Sequence, residues 1–174
     1  DGLLADDSFD PKKTREYLEL LAVENARLSR LIENFLTFSR LERNHQRFSL
    51  APVEPGMIVA SAVDTVRDRL PPDADLRVEV PASLPLVMAD ADALRTALIN
   101  LLENALKYTP ATKRIVVRAS LDDDGTVLFA VEDNGIGIPV REQRRIFRRF
   151  YRVDQRLSRE TSGVGLGLSI VDLI

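Results

Sequence analysis

The sequence predicts an α+β fold: a mixed sheet with helices stacked on one face, preceded by one long helix. Three observations predict it. A stretch from Lys13 to Asn44 holds no glycine or proline and spaces its apolar residues as a helix does. Downstream, helical and strand-like segments come in mixed order. Two alternating runs, Arg114 to Leu121 and Thr126 to Asp133, are joined through Asp123-Asp124-Gly125 as a hairpin.

The elements can be justified in chain order. Residues 1 to 12 carry acids, a glycine and a proline and read as a loop. In the long helix, about 50 Å at 1.5 Å per residue, Leu21, Leu28, Leu31, Ile32, Phe35 and Phe38 form a seam, with Glu19, Glu24, Arg27, Arg30, Glu33 and Arg40 outside it. A stripe of that kind needs another helix to cover it, since the domain that follows is too short to cover the whole length. After a break at Asn44 to Arg47 come a strand from Phe48 to Val53 and a helix from Pro55 to about Arg69, its proline suited to a first turn. Pro71 and Pro72 stop that helix. Leu76 to Val80 and Leu86 to Met88 read as short strands. Asp90 or Asp92 caps a helix that ends at Thr109-Pro110, and a last helix starts near Gly167.

Composition excludes several classes. The net charge of −3, from 24 basic and 27 acidic residues, gives no global pull toward nucleic acid or anionic lipid, so any anion site is local. No run of 18 or more apolar residues exists, so no membrane contact is expected, and the N-terminus does not read as a secretory signal. The absence of cysteine rules out disulfides and thiolate metal sites and makes a cytoplasmic setting natural.

Chemistry concentrates in three places. On the helix of residues 92 to 108, Leu94, Ala97, Leu98, Leu101 and Ala105 form the core stripe, while Asn100, Asn104, Lys107 and Tyr108 share an adjacent arc of about 100°. Asparagine is a mediocre helix former, and amide oxygens beside an ammonium suit a magnesium-phosphate cluster; a plain polar face fits the same residues. In Asp133-Asn134-Gly135-Ile136-Gly137-Ile138-Pro139, a carboxylate ends a row of inward residues, Val127, Phe129 and Val131. It can receive an adenine amino group or cap the turn's own amides. In Gly163-Val164-Gly165-Leu166-Gly167-Leu168-Ser169, glycines lead into a helix whose N-terminus suits an anion, although the run is neither a P-loop nor a dinucleotide fingerprint. Between them, Arg144 to Arg152 interleaves arginines with aromatics. It reads as an amphipathic segment docking Phe147 and Phe150 rather than a nucleic-acid surface, with residues 153 to 166 as a lid.

Together these segments resemble the histidine kinase catalytic domain of the GHKL ATPase superfamily over residues 48 to 174. Asn100 to Thr109 is similar to the N box, Asp133 to Pro139 to the first glycine box, Ile146 to Tyr151 to the F box, and Gly163 to Leu168 to the second glycine box. The resemblance implies a two-layer α/β sandwich of the Bergerat type that binds ATP and Mg2+. It implies Asn104 as the metal ligand, Lys107 on phosphate, Tyr108 on the nucleoside or phosphate side, Asp133 on the adenine amino group and Arg152 toward the γ-phosphate. It adds Asn100, Gly135, Gly137, Ile138, Tyr151, Gly163, Gly165, Leu166 and Gly167 to the nucleotide site.

The segment Arg27 to Glu42 resembles the second helix of the family's dimerisation and phosphotransfer hairpin. The expected division is therefore residues 1–46 as part of that hairpin and 47–174 as the ATP-binding catalytic domain, short of the family's closing strand pair. The first hairpin helix with its acceptor histidine has no counterpart here. The sole histidine, His45, has no acid after it and is not expected to accept phosphate, so no catalytic residue is assigned and the chain alone is not expected to autophosphorylate. The implied reaction passes the ATP γ-phosphoryl group to a histidine and then to an aspartate of a response regulator receiver domain, within a homodimer formed through the hairpin. A GHKL ATPase or an anti-sigma type serine kinase is the alternative. The former would place a glutamate at position 100, and the latter lacks the long helix.

Overall fold

The computed structural model describes residues 11–43, 48–110, 112–153 and 165–174. Its elements are α1 (Pro11–Arg43), β1 (Ala51–Val53), α2 (Pro55–Arg67), β2 (Asp75–Glu79), β3 (Val87–Ala89), α3 (Ala91–Tyr108), β4 (Arg114–Leu121), β5 (Val127–Asp133) and α4 (Gly167–Leu173). The fold is a mixed α/β assembly of sheet against helices with a long helix in front, as expected. Boundaries shift where caps override periodicity. Helix α1 already begins at Pro11, a residue tolerated in a first turn. Strand β1 is only three residues, because Phe48 to Leu50 runs outside the ladder.

The strands form two sheets rather than one. β1 pairs antiparallel with β3, Pro52 opposite Met88. β2, β4 and β5 form the main sheet, β2 parallel to β4 and β4 antiparallel to β5. In β4 the alternation decides the faces: Ile115, Val117 and Ala119 are buried, and Arg118 lies on the opposite side. There the Arg118 guanidinium bridges Glu79 of β2 and Glu132 of β5, which ties the outer face of all three strands together.

The inner face is covered by α2 and α3. Ile58, Val59, Ala62, Val63 and Val66 of α2 interlock with Leu98, Leu102 and Ala105 of α3 over the β4 residues. The α3 stripe differs from expectation: Leu102 is fully buried and Asn100 is buried with it, whereas Leu94 and Leu101 are only half-buried. Contacts with α2, α4 and β5 widen the buried arc beyond one stripe. Asp90 caps α3 by accepting the N–H groups of Asp92 and Ala93, and its second oxygen accepts Ser49 N–H at 3.0 Å. These three donors, Ala93 first, hold its carboxyl below the ordinary value against the opposing effect of burial.

Helix α3 ends as read, with Thr109 extended (φ −91°, ψ 133°) ahead of Pro110. Its terminal carbonyls are satisfied by Lys113, whose Nζ donates to Leu106 O at 2.8 Å and to Thr109 O.

The aromatic-basic segment departs from expectation. Residues 140–150 form turns, with Phe150 60% and Phe147 38% exposed, so neither ring is docked as predicted. The inward-facing groups are instead Glu142, which is buried, and half-buried Ile146 and Tyr151. The Tyr151 hydroxyl donates to the Glu142 carboxylate, which Arg141 and Arg145 also approach. A carboxylate taken from water needs such donors, and that requirement sets which side of the segment turns in.

Candidate functional site between two glycine turns

Helix α3 is the floor of the site, and each end of its polar arc meets one glycine turn. Asn100 is buried, its Nδ2 donating to Thr96 O at 2.9 Å. A Cβ placed on Gly167, the first residue of α4, would lie 2.8 Å from Asn100 Oδ1, so a larger residue there would have to displace this buried amide. One helical turn along, Asn104 has an Nδ2 shielded from solvent with no hydrogen-bond partner among the described residues. Such an orphan is uncommon and costs free energy unless something meets it. At the end of the helix, the Lys107 ammonium lies 4.8 Å from the centroid of the Tyr108 ring, in cation–π contact.

The first glycine turn is stitched to this end. Ile136 N–H donates to Tyr108 O at 3.2 Å, and a Cβ on Gly135 would meet Asp133 Oδ1 at 2.5 Å and Tyr108 O at 2.8 Å. Gly137 takes φ +69°, a conformation that favours glycine. Asp133 pairs with Ile115 in the ladder and so stands on the core-facing side of β5, but it is the last residue of the strand and is exposed rather than half-buried. Its Oδ1 accepts Gly135 N–H at 2.7 Å and the Thr109 hydroxyl at 3.4 Å. One carboxylate oxygen thus caps the turn, as one of the two readings of the sequence has it, and the residue is exposed.

On the other side, Phe150 N–H donates to Gly165 O at 2.9 Å. Gly165 has φ +77°, and a Cβ there would lie 2.7 Å from Tyr151 O. Leu166, at the start of α4, is buried. Arg152 is half-buried and Ile138 is exposed. Gly163 and His45 lie outside the described residues. Sequence reasoning missed three contributors: Thr109, buried and bonded to Asp133; Lys113, which closes the α3 terminus; and Glu142, which orders the segment before Tyr151. Only Thr109 carried a local signal, as a hydroxyl at a helix end. The other two act through partners distant in the chain.

Residues 89–174 match the family described as "Histidine kinase-, DNA gyrase B-, and HSP90-like ATPase". The mycobacterial sensor histidine kinase MprB superposes with a TM-score of 0.60 at 33% identity, over 71% of this chain and 76% of that structure. The chain belongs to the sensor histidine kinase family. Full-length ShkA, solved in complex with AMPPNP, aligns over 92% of the chain and 33% of its own length, with a TM-score of 0.77 and 31% identity. Sensor-like histidine kinase SenX3 of Mycolicibacterium smegmatis is 34% identical over 165 residues, which cover 93% of this chain. The chain spans 42% of the length of that relative. It thus carries a histidine kinase ATPase domain with a long helix before it, and both glycine turns lie within the matched residues.

Proposed function

We infer that this chain is the ATP-binding catalytic portion of a two-component sensor histidine kinase. The observation that carries this reading is the placement of Asn104: a carboxamide whose shielded Nδ2, a donor suited to a phosphate oxygen, has no partner among the described residues, one helical turn from Asn100 on a helix bordered by Gly135 at one end and Gly167 at the other. ShkA, alike at 31% identity, holds AMPPNP, an ATP analogue.

The residues fit magnesium-ATP. A carboxamide oxygen is a hard neutral ligand, so Asn104 would hold Mg2+, which neutralises phosphate charge during transfer. Asp133 accepts the adenine amino group through the carboxylate that Thr109 and Gly135 orient. Gly135 and Gly137, with Ile138 beside them, admit the flat base, and Lys107 with Tyr108 meets the phosphates. Gly165 and Gly167 bring backbone amides to the anion near the start of α4, with Tyr151 and Arg152 on the adjoining segment, and Gly163 is assigned to the same site by the motif alone. Phosphoryl transfer of this kind rests on positioning and charge neutralisation. Asn100, whose amide is engaged with Thr96 O, supplies no base to activate water, which favours transfer over hydrolysis.

The acceptor is a histidine outside this sequence, and the phosphoryl group then passes to an aspartate of a response regulator receiver domain. Residues 1–46 belong to the helical hairpin through which the intact protein forms a homodimer, and residues 47–174 are the nucleotide-binding unit. Exposure of Leu18, Leu21, Leu28 and Ile32 on α1 supports a helical partner. Among the described residues no helix is long and apolar enough to cross a membrane; we place this portion in the cytoplasm.

Calorimetric titration with ATP and Mg2+ tests the site. Asp133→Asn is expected to weaken ATP on the order of 10- to 100-fold, the scale of one charged hydrogen bond. A folded wild-type chain that ignores Mg-ATP, or an Asp133→Asn chain that binds it equally well, sinks the assignment.

A further inference from the structure

Asn134 sits in the first glycine turn, yet its side chain does not point at a nucleotide; it works on the strand beside it. In an antiparallel ladder, a hydrogen-bonded pair of residues exchanges two N–H···O=C bonds. The pair Arg114 and Asn134 would be the next after Ile115 and Asp133. One bond is regular: Asn134 N–H donates to Arg114 O at 3.2 Å. The other is substituted, because Arg114 N–H donates at 2.7 Å to the side-chain Oδ1 of Asn134 instead of its backbone carbonyl. The same amide's Nδ2 donates to Thr112 O at 3.0 Å. The ladder is closed by a side chain, which frees the Asn134 carbonyl and lets the backbone leave the strand directly into Gly135.

That departure is under tight steric limits. Immediately after Asn134, Gly135 packs its Cα against Tyr108 O and Asp133 Oδ1, where no Cβ fits. The Thr112 to Arg114 segment gripped by Asn134 also includes Lys113, whose ammonium closes the end of α3. One carboxamide therefore links three things: the last rung of the β4–β5 ladder, the loop leaving α3, and the residue next to Asp133.

The geometry points to Asn134 as a positioning residue for base recognition, closing the ladder with its side chain so that the Asp133 carboxylate is presented at a fixed place beside Tyr108. This rests on the nucleotide reading above. Asn134 touches no nucleotide. Its loss displaces the base end of the site and leaves the phosphate end alone.

Binding of ATP, ADP and GTP to the whole chain in Mg2+, with melting curves taken without nucleotide, tests the idea. Asn134→Ala is expected to weaken ATP and ADP by the same factor, about tenfold, and to narrow the preference for ATP over GTP. Asn134→Asp keeps the acceptor for Arg114 N–H but loses the Nδ2 donor to Thr112 O, so it is expected to fall between wild type and Asn134→Ala. Wild-type affinity and ATP preference in Asn134→Ala overturns the proposal. So does a loss for ATP much larger than for ADP, which would place the effect at the γ-phosphate. Should Asn134→Ala not fold, Asn134→Asp decides alone: affinity retained, or lost equally for ATP and ADP, with the Arg114 amide still protected from exchange supports the closing role, and a loss for ATP much larger than for ADP, or retained affinity with that protection gone, overturns it. If the wild type binds no nucleotide, the underlying reading fails instead, and amide exchange at Arg114 still reports whether the rung is closed by the side chain: protection lost in Asn134→Ala and kept in Asn134→Asp supports it, and protection kept in both overturns it.

Discussion

At the residue scale, the site is shaped as much by missing atoms as by functional groups. Gly135 and Gly167 both lie where a Cβ would sit under 3 Å from a neighbour, in one case a backbone carbonyl and in the other the amide of Asn100. Backbone cannot rotate out of the way as a long side chain can. Gly135→Ala is therefore expected to destabilise the chain by about 1–3 kcal/mol and to weaken ATP, read by urea denaturation and by titration. Gly125, with φ +77° but nothing near its Cβ position, is the contrast. Alanine there meets strain without a clash and should leave nucleotide affinity untouched. Equal effects at the two positions would show that steric fit at Gly135 is not what matters.

Among the elements, α3 joins scaffold and site. Most of its amphipathic stripe, a cap at Asp90 or Asp92 and its end at Thr109-Pro110 were legible in the sequence, because each depends on residues within a turn or two. What the cap does beyond the helix was not legible: Asp90 also receives Ser49 N–H, from the segment that follows α1. Its carboxyl titrates below the ordinary value, so its stabilisation is present above that value and is lost as pH falls through the lowered one. Asp90→Asn is expected to remove that acid-side decline while retaining much of the cap, and Asp90→Ala to cost about 1 kcal/mol at neutral pH. Thermal melts between pH 3 and pH 7, a range that brackets ordinary carboxylate titration, check both. An unchanged acid limb in Asp90→Asn would remove Asp90 from the account.

For the molecule as a whole, the central question is how far α1 depends on the rest. Its apolar residues Leu18, Leu21, Leu28 and Ile32 are exposed, and its main contact with the other elements is with α4. Among the described residues, every member of the buried cluster lies in or after α2. A chain lacking residues 1–46 is expected to melt cooperatively and to bind ATP within about twofold of the full chain. It is also expected to lose any self-association seen by sedimentation. A truncated chain that does not fold would show that α1 belongs to the same cooperative unit.

The sequence by itself determined the class of the fold, the long helix, the hairpin of β4 and β5, and the order of the boxes. Periodicity, caps and turn residues act over a few positions, where chain order and spatial order coincide. Only the tertiary structure decided that β2 runs parallel to β4, that Asn100 is buried against Gly167, that Phe150 faces water, and that Asn134 closes a strand ladder. Each joins groups far apart in the chain or on different elements, and its outcome depends on which partner is already in place when burial and hydrogen bonding are settled. A local pattern states which residues prefer to be inside; only the packed chain states what they meet there.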